Sequence, residues 1–336
     1  MKTIVFSAES YERPFFENLN QTYQHELVYI EAQLNPDTVA LARGAPCVCV
    51  FVNDTLSAGI LEELADHGTR VIALRSAGFN HVDLETADKL GLTIVRVPAY
   101  SPHAVAEHTI CLLMALNRKV HRAYNRVREG NFALHGLMGF DIHGKTAGLV
   151  GTGKIGECTA RILKGLGCRL LAYDPYPNPD CEAMGVSYVD LPSLFSAADI
   201  LTLHCPLTPE TRHLINDDAI AKMKTGVQIV NTSRGGVVDT AAVIRGLKSE
   251  KIGSLGLDVY EEEGDVFFRN LSDTVLKDDQ LARLLTFPNV IITGHQAFFT
   301  YEALHAIVDT TLANIRDVAD TGSCKNRVSA DQHVKP

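Results

Sequence analysis

The chain has 336 residues, 46% hydrophobic and 21% charged, with no low-complexity tract, a composition that predicts an ordered protein of two ordinary domains. A formal net charge of −9 argues against a nucleic-acid partner, and the lack of any long apolar run argues against a membrane helix. The eight cysteines form no C-x-x-C pair and sit mostly in apolar segments (Cys47, Cys49, Cys111, Cys168, Cys205), so reduced, packed thiols are expected, with neither a disulfide framework nor a metal site.

The N-terminal "MKTIVFSAES" carries too short an apolar run for a signal-peptide core and reads as a first strand, which suggests a cytoplasmic protein. From there "KTIVFS", "ELVYIEA", "PCVCVFV", "RVIALRS" and "TIVRVP" alternate with helix-prone segments such as "TLSAGILEELADHG". The strands are almost wholly apolar, as in a parallel sheet covered on both faces, so the first hundred residues predict a small doubly wound domain. "SPHAVAEHTICLLMALNRKVHRAYNRVREG" has Pro102 after a plausible cap, Ser101, and no breaker before Gly130, so one long helix is expected over 101–130. Its basic part, 117–128, predicts a solvated or subunit-facing surface, and its "TICLLMAL" carries enough apolar surface to support a dimer. The strand rhythm then restarts with six strands: "KTAGLVG", "RLLAYD", "ILTLHC", "VQIVNTS", "SLGLDV" and "NVIITG". A last helix, "YEALHAIVDTTLANIRDVAD", is expected to return to the first domain and leave a polar tail from about Thr321.

Gly151, Gly153 and Gly156 form G-x-G-x-x-G between a strand and a helix. The first permits the tight turn, the second admits a pyrophosphate to the backbone, and the third lets helix and strand approach closely. The helix N-terminus then offers unpaired N–H groups and partial positive charge. Asp174 ends the next strand, eighteen positions beyond Gly156, where an acceptor for an adenine ribose diol belongs, and no Arg follows it. NAD(H) is therefore expected over NADP(H).

Three later strand ends carry reactive groups: Arg234 in "VNTSRGG", three acids in "LDVYEEE" and His295 in "ITGHQAFF". Ligands of open parallel sheets bind at the carboxyl ends of strands. An Arg, a His and a carboxylate suit hydride transfer to a 2-oxo acid: the Arg clamps the substrate carboxylate, the His protonates the carbonyl oxygen, and the acid orients the His. Sequence chemistry alone does not choose among Glu261, Glu262 and Glu263. His103 and Glu107, one helical turn apart, lack the further ligands that a metal would need.

Taken with "RSAGFNHVDL", "RVPAYSPHAVAEH", "LHCPLT" and "TGHQAFFT", these motifs resemble, in order and over essentially the whole chain, the D-isomer-specific 2-hydroxyacid dehydrogenase family. The resemblance implies an α/β chain of two doubly wound parallel-sheet domains with a cleft between, and closure of that cleft on substrate is expected because excluding water strengthens each electrostatic contact around the developing alkoxide. A flavodoxin-like substrate domain would take 1–100 plus 299–336, and a Rossmann NAD-binding domain 101–298. It also implies Arg234 as substrate-binding residue, His295 as proton donor and, from the acid's spacing after Asp258, Glu263 as the His partner. Asp258 becomes a structural or cofactor-contacting residue. NAD contacts are implied at Lys154, Ile155, Asp174, Cys205, Pro206, Thr211 and the backbone of Thr232, Ser233 and Arg234, with Thr211 departing from an expected Asn. Backbone N–H groups of Ala77 and Gly78 would meet the substrate carboxylate, and Tyr100 and Phe298 would wall the pocket.

The bulky "HQAFF" and the insertion "GDVFFRNLSDTVLKDD" resemble the lactate-forming branch, so pyruvate, giving D-lactate, is the first expected substrate, with phenylpyruvate and branched 2-oxo acids as alternatives. A homodimer or a dimer of dimers is expected. The rival of another class is a non-enzymatic NADH sensor, against which the Arg, Glu and His set speaks.

Overall fold

β1 (Lys2–Val5), β2 (Glu26–Tyr29), β3 (Cys47–Val50), β4 (Val71–Leu74) and β5 (Thr93–Val95) are parallel, in the order β2-β1-β3-β4-β5, with α1 (Arg13–Tyr23), α2 (Ala58–Asp66) and α3 (Leu84–Lys89) between them. β3 and β4 are buried at every position, which explains why they read as unbroken apolar runs. Alternation divides their side chains between two cores. Val48, Val50, Ile72 and Leu74 pack on one face, and Cys47, Cys49, Val71 and Ala73 on the other. The computed structural model describes residues 1–331. It divides into two compact units, Met1–Ser101 with the segment from Phe299 onward, and Pro102–Phe298.

The second unit opens with α4 (Pro102–Arg118) and α5 (Val120–Arg128). One helix was expected here. The break falls at Lys119, whose φ is 50°, because the following loop docks back on the helix end. Asn117 donates to the Phe140 carbonyl at 2.8 Å and accepts from its N–H at 2.9 Å, and the Lys119 ammonium bonds the Met138 carbonyl. Then come β6 (Thr146–Val150), α6 (Lys154–Gly165), β7 (Arg169–Tyr173), α7 (Pro179–Ala183), β8 (Ser187–Tyr188), α8 (Leu191–Ala197) and β9 (Ile200–Leu203). α9 (Asp217–Lys222), β10 (Val227–Asn231), α10 (Thr240–Lys248), β11 (Ile252–Leu257), α11 (Asp279–Leu285) and β12 (Val290–Ile292) complete the unit. All seven strands are parallel, in the order β12-β11-β10-β9-β6-β7-β8. The seventh, β8, has two residues at the sheet edge, too short to show a period in the sequence.

α12 (Tyr301–Thr321) packs against α1 and β4 in the first unit, burying Ile307, Val308, Leu312 and Ile315. The tail expected to be polar from Thr321 instead adds β13 (Arg327–Val328), antiparallel to β5, with Val328 buried. The segment is held by Val328 in the core, by the Arg96 N–H to the Asn326 carbonyl and by Asn326 to Asn314 at 2.7 Å. Cys111, expected to be packed, is exposed on α4. No helix among the described residues is long and apolar enough to cross a membrane.

Candidate active site

One line of register crosses the second sheet: Tyr173, Val150, Leu203, Asn231, Leu257 and Ile292 are successive partners from β7 to β12. Asp174, Gly151 and Asp258 follow that line by one residue, Cys205 by two, Arg234 and His295 by three. The parallel register therefore delivers these groups to one edge of the sheet. β6 lies between β7 and β9, where the strand order reverses, the place at which open α/β sheets take ligands.

The glycine turn has the space a dinucleotide needs. Gly151 has φ 93°, and a β-carbon there would lie 2.8 Å from the Cys205 nitrogen. One at Gly156 would meet the Gly151 carbonyl oxygen at 2.2 Å, whereas one at Gly153 meets nothing within 4 Å, leaving that backbone open to a ligand. Lys154 and Ile155 open α6, whose first N–H groups lack intrahelical partners. Asp174 accepts from the Thr152 N–H at 2.7 Å and its hydroxyl at 3.1 Å, and from the Tyr176 N–H at 2.9 Å. The carboxylate thus braces the turn while, half-buried, it keeps one acceptor position on Oδ1. Beneath the turn lies His204, both ring nitrogens buried without a hydrogen-bond partner among the described residues. Burial pushes it down to about 3, so it is neutral near pH 7. Burial also raises the Cys205 thiol to about 11, so it stays a protonated, unreactive thiol near pH 7. Thr211 donates its hydroxyl to the Pro206 carbonyl at 2.6 Å and accepts from the Thr208 N–H at 2.7 Å, closing the loop after β9 on itself.

Two buried strand-end residues shape the reactive loops. Asn231 accepts from the Ser233 N–H at 3.0 Å and hydroxyl at 2.8 Å and donates to the Arg234 carbonyl at 2.9 Å. Arg234, half-buried, turns one nitrogen back to the Ser233 carbonyl at 2.7 Å. The neighbouring Gly235 lies so close to the next loop that a β-carbon would sit 2.1 Å from the Tyr260 carbonyl, which is why glycine follows the Arg. Asp258, fully buried, accepts from the Thr293 hydroxyl at 2.6 Å, the Gln296 N–H at 2.9 Å and the Ala297 N–H at 2.8 Å. Its carbonyl takes the His295 N–H at 2.7 Å. Burial alone would raise its pKa, but bonds from His108, Thr293 and the two N–H groups outweigh that and hold it below the usual carboxylate range. Both carboxylate oxygens of Asp258 are committed to the His295 loop, so the structure places it as an anchor of that loop.

The three acids after β11 differ in their surroundings. Glu261 bonds His213 and the Thr240 hydroxyl, Glu262 is exposed, and Glu263 lies 2.9 Å from Nδ1 of His295 while accepting the Tyr260 N–H at 3.0 Å. The His295 ring also faces Phe268, at 5.8 Å between centroids. Sequence reasoning missed Asn231, Thr152 and Phe268. The signals were there in an Asx-type "NTS" turn and a paired "FF" within the insertion. Phe298 is buried, and Thr232 is buried with its hydroxyl 2.8 Å from that of Thr109.

In the first unit, Ala77 and Gly78 follow β4. Their carbonyls accept from Arg96 at 2.6 Å and the Ser76 hydroxyl at 2.7 Å, and no bond among the described residues uses either N–H. Such a pair of free N–H groups suits a carboxylate. Arg75, just before them, is fully buried, 3.3 Å from the Glu12 carboxylate, and donates to the Phe6 and Ser7 carbonyls at 3.1 and 3.0 Å. Tyr100 is half-buried beyond β5. His103 and Glu107 are both exposed, and the described residues contain no group of three or more His, Cys, Asp or Glu able to hold a metal ion.

A sequence model of the D-isomer specific 2-hydroxyacid dehydrogenase, NAD binding domain, matches residues 110–297. The chain belongs to that family. It is 53% identical to the D-lactate dehydrogenase of Escherichia coli (strain K12) over 328 residues, 98% of this chain and 100% of the relative. The apo structure of D-lactate dehydrogenase from Escherichia coli superposes with a TM-score of 0.90 at 51% identity, covering 98% of this chain and 100% of the other. D-lactate dehydrogenase with NAD+ from Lactobacillus jensenii gives 0.82 at 33% identity, with 98% and 100% covered. The cofactor of this oxidoreductase is NAD, and the glycine turn and Asp174 fit it.

Proposed function

We propose that the chain reduces pyruvate to D-lactate with NADH, reversibly. The observation that carries this reading is the His295–Glu263 pair on the sheet edge that also holds the dinucleotide turn. Bound NADH supplies the hydride. Glu263 accepts the hydrogen bond from Nδ1–H of His295 and fixes the ring, leaving Nε2 to give its proton to the substrate carbonyl oxygen. Arg234 presents two parallel donors to the substrate carboxylate and polarises the carbonyl as negative charge develops on it. In the first unit, Ala77 and Gly78 offer backbone N–H groups of the kind that holds a carboxylate. Asp174 receives the adenine ribose diol, Gly153, Lys154 and Ile155 the pyrophosphate, and Cys205, Pro206, Thr211, Thr232 and Ser233 line the rest of the cofactor path. Phe298 limits the substrate side chain, which favours pyruvate over larger 2-oxo acids.

A cytoplasmic location belongs to the same reading, supported by eight free thiols that suit a reducing compartment. So does a homo-oligomer. α5 buries none of its residues, and Val120, Tyr124 and Val127 on it are 57%, 59% and 50% exposed. Phe132, Leu134 and Met138 lie exposed in the loop that bonds back to that helix region. An apolar face of this size is what a second copy covers.

The deciding experiment is NADH oxidation by the purified chain across a panel of 2-oxo acids, with the product's chirality determined. Pyruvate is expected to give the highest kcat/KM and D-lactate as product. Faster turnover of phenylpyruvate, an L product, or NADH binding with no oxidation by any 2-oxo acid would each overturn the reading.

A further inference from the structure

α4 does more than connect the two units' sequences. Its C-terminal half is docked tightly on the second sheet. Gln228 of β10 donates to the Leu113 carbonyl at 2.9 Å, and a β-carbon at Gly256 of β11 would lie 3.1 Å from Leu116 and 3.3 Å from Leu112. One to two turns back toward its N-terminus, two adjacent residues of α4 reach the two reactive loops. Thr109, fully buried, has its hydroxyl 2.8 Å from that of Thr232, two residues before Arg234. The Thr109 hydrogen goes to the Val105 carbonyl at 2.9 Å, so Thr232 is the donor in that contact. His108 has Nε2 3.0 Å from the Thr293 hydroxyl and 3.3 Å from the Asp258 carboxylate, two residues before His295. The Thr293 hydrogen goes to Asp258, so Nε2 of His108 carries the proton and donates.

The consequence follows from where these bonds end. Asp258 accepts the N–H groups of Gln296 and Ala297 and, through its carbonyl, that of His295, whose φ is 53°. His108 therefore grips, through Thr293 and Asp258, the segment that holds His295 in a backbone conformation that few side chains adopt unaided. Thr109 grips the loop that ends in Arg234. Because the two residues are neighbours on one rigid helix, they set the loops relative to each other. We propose that His108 and Thr109 are positioning residues for the reaction, with α4 as the gauge that holds the proton donor and the carboxylate clamp at their working separation. This inference rests on the roles proposed above for His295 and Arg234.

The test compares His108→Leu, which loses the donor, with His108→Gln, whose amide nitrogen can occupy nearly the Nε2 position, and with Thr293→Val and the double variant His108→Leu/Thr293→Val. Turnover is expressed per NADH-binding site, titrated by NADH fluorescence, so that loss of folded protein does not count. His108→Leu is expected to lower kcat about 10- to 100-fold with the NADH dissociation constant unchanged. His108→Gln should regain most of that loss, and the double variant should be no worse than the worse single, because both break one chain of bonds. Thr109→Val is expected to raise the KM for the 2-oxo acid, and Thr109→Ser to restore it. Should His108→Leu fail to fold, Thr293→Val cuts the same chain from the other side and carries the test. Full kcat per site in His108→Leu or Thr293→Val, or equal losses in the Leu and Gln variants, overturns the His295 arm. An unchanged KM in Thr109→Val overturns the Arg234 arm. If the unaltered chain reduces no 2-oxo acid, or keeps its activity without His295, the functional reading itself fails and this one falls with it.

Discussion

His295 occupies the left-handed backbone region at φ 53°, a conformation that costs a residue with a β-carbon about 1–2 kcal/mol. The cost is offset locally by the hydrogen bond from its N–H to the Asp258 carbonyl and by the two N–H groups after it that end on the Asp258 carboxylate. Strain that is held in this way marks a residue whose position matters more than its stability. His295→Gln keeps a hydrogen-bonding side chain of similar size but no titratable nitrogen. Its kcat is expected to fall about 10²- to 10⁴-fold while NADH binding, measured by fluorescence titration, stays as in the unaltered chain. Near-normal turnover at neutral pH would assign the proton to another group. Glu261 and Glu263, two residues apart, have different fates because the loop gives one to His213 and Thr240 and the other to His295.

Among elements, the β6–α6 turn divides its glycines by task. A methyl group at Gly156 collides with the Gly151 carbonyl at 2.2 Å, so the turn must open. Gly156→Ala is expected to cost about 1–3 kcal/mol of stability, as overpacking does, and to weaken NADH binding. A methyl at Gly153 meets nothing within 4 Å of the protein, so Gly153→Ala should unfold at the same urea concentration as the parent and lose only NADH affinity. Equal urea midpoints for all three chains would mean that Gly156 is not in close contact. The α4–α5 junction belongs to the same scale. No Gly or Pro marks it, and a Lys at φ 50° ends the helix because Asn117 bonds a loop residue twenty-three positions on. Local sequence carries no trace of such a partner.

At the scale of the whole molecule, the exposed apolar side chains of α5 and its neighbouring loop lie outside both cores. They predict an assembly. Multi-angle light scattering should give a mass at least twice 36.7 kDa for the parent chain, and Val127→Glu, placing a charge on that face, should shift the population toward monomer. A monomeric parent would leave this face to another role. The parallel strands of the two sheets follow the orders 2-1-3-4-5 and 3-2-1-4-5-6-7, the doubly wound patterns with a reversal next to their first strands, with antiparallel β13 added beyond β5 in the first.

The sequence by itself determined eleven of the thirteen strands among the described residues, the doubly wound class, the dinucleotide turn and the choice of NAD over NADP, because apolar runs, glycine spacing and a strand-end acid are local and need no partner. Two short strands, β8 and β13, escaped it, since two residues show no period and their pairing is set by the strand beside them. Arg234 and His295 were legible as strand-end chemistry, and Glu263 was chosen from family spacing. What tertiary structure alone decided was the support beneath them: Asp258 turning the His295 loop, and His108 and Thr109 reaching both loops from α4. The bonds from His108 to Thr293 and between Thr109 and Thr232 join residues more than a hundred positions apart, and only the packing of that helix across the sheet brings them within reach.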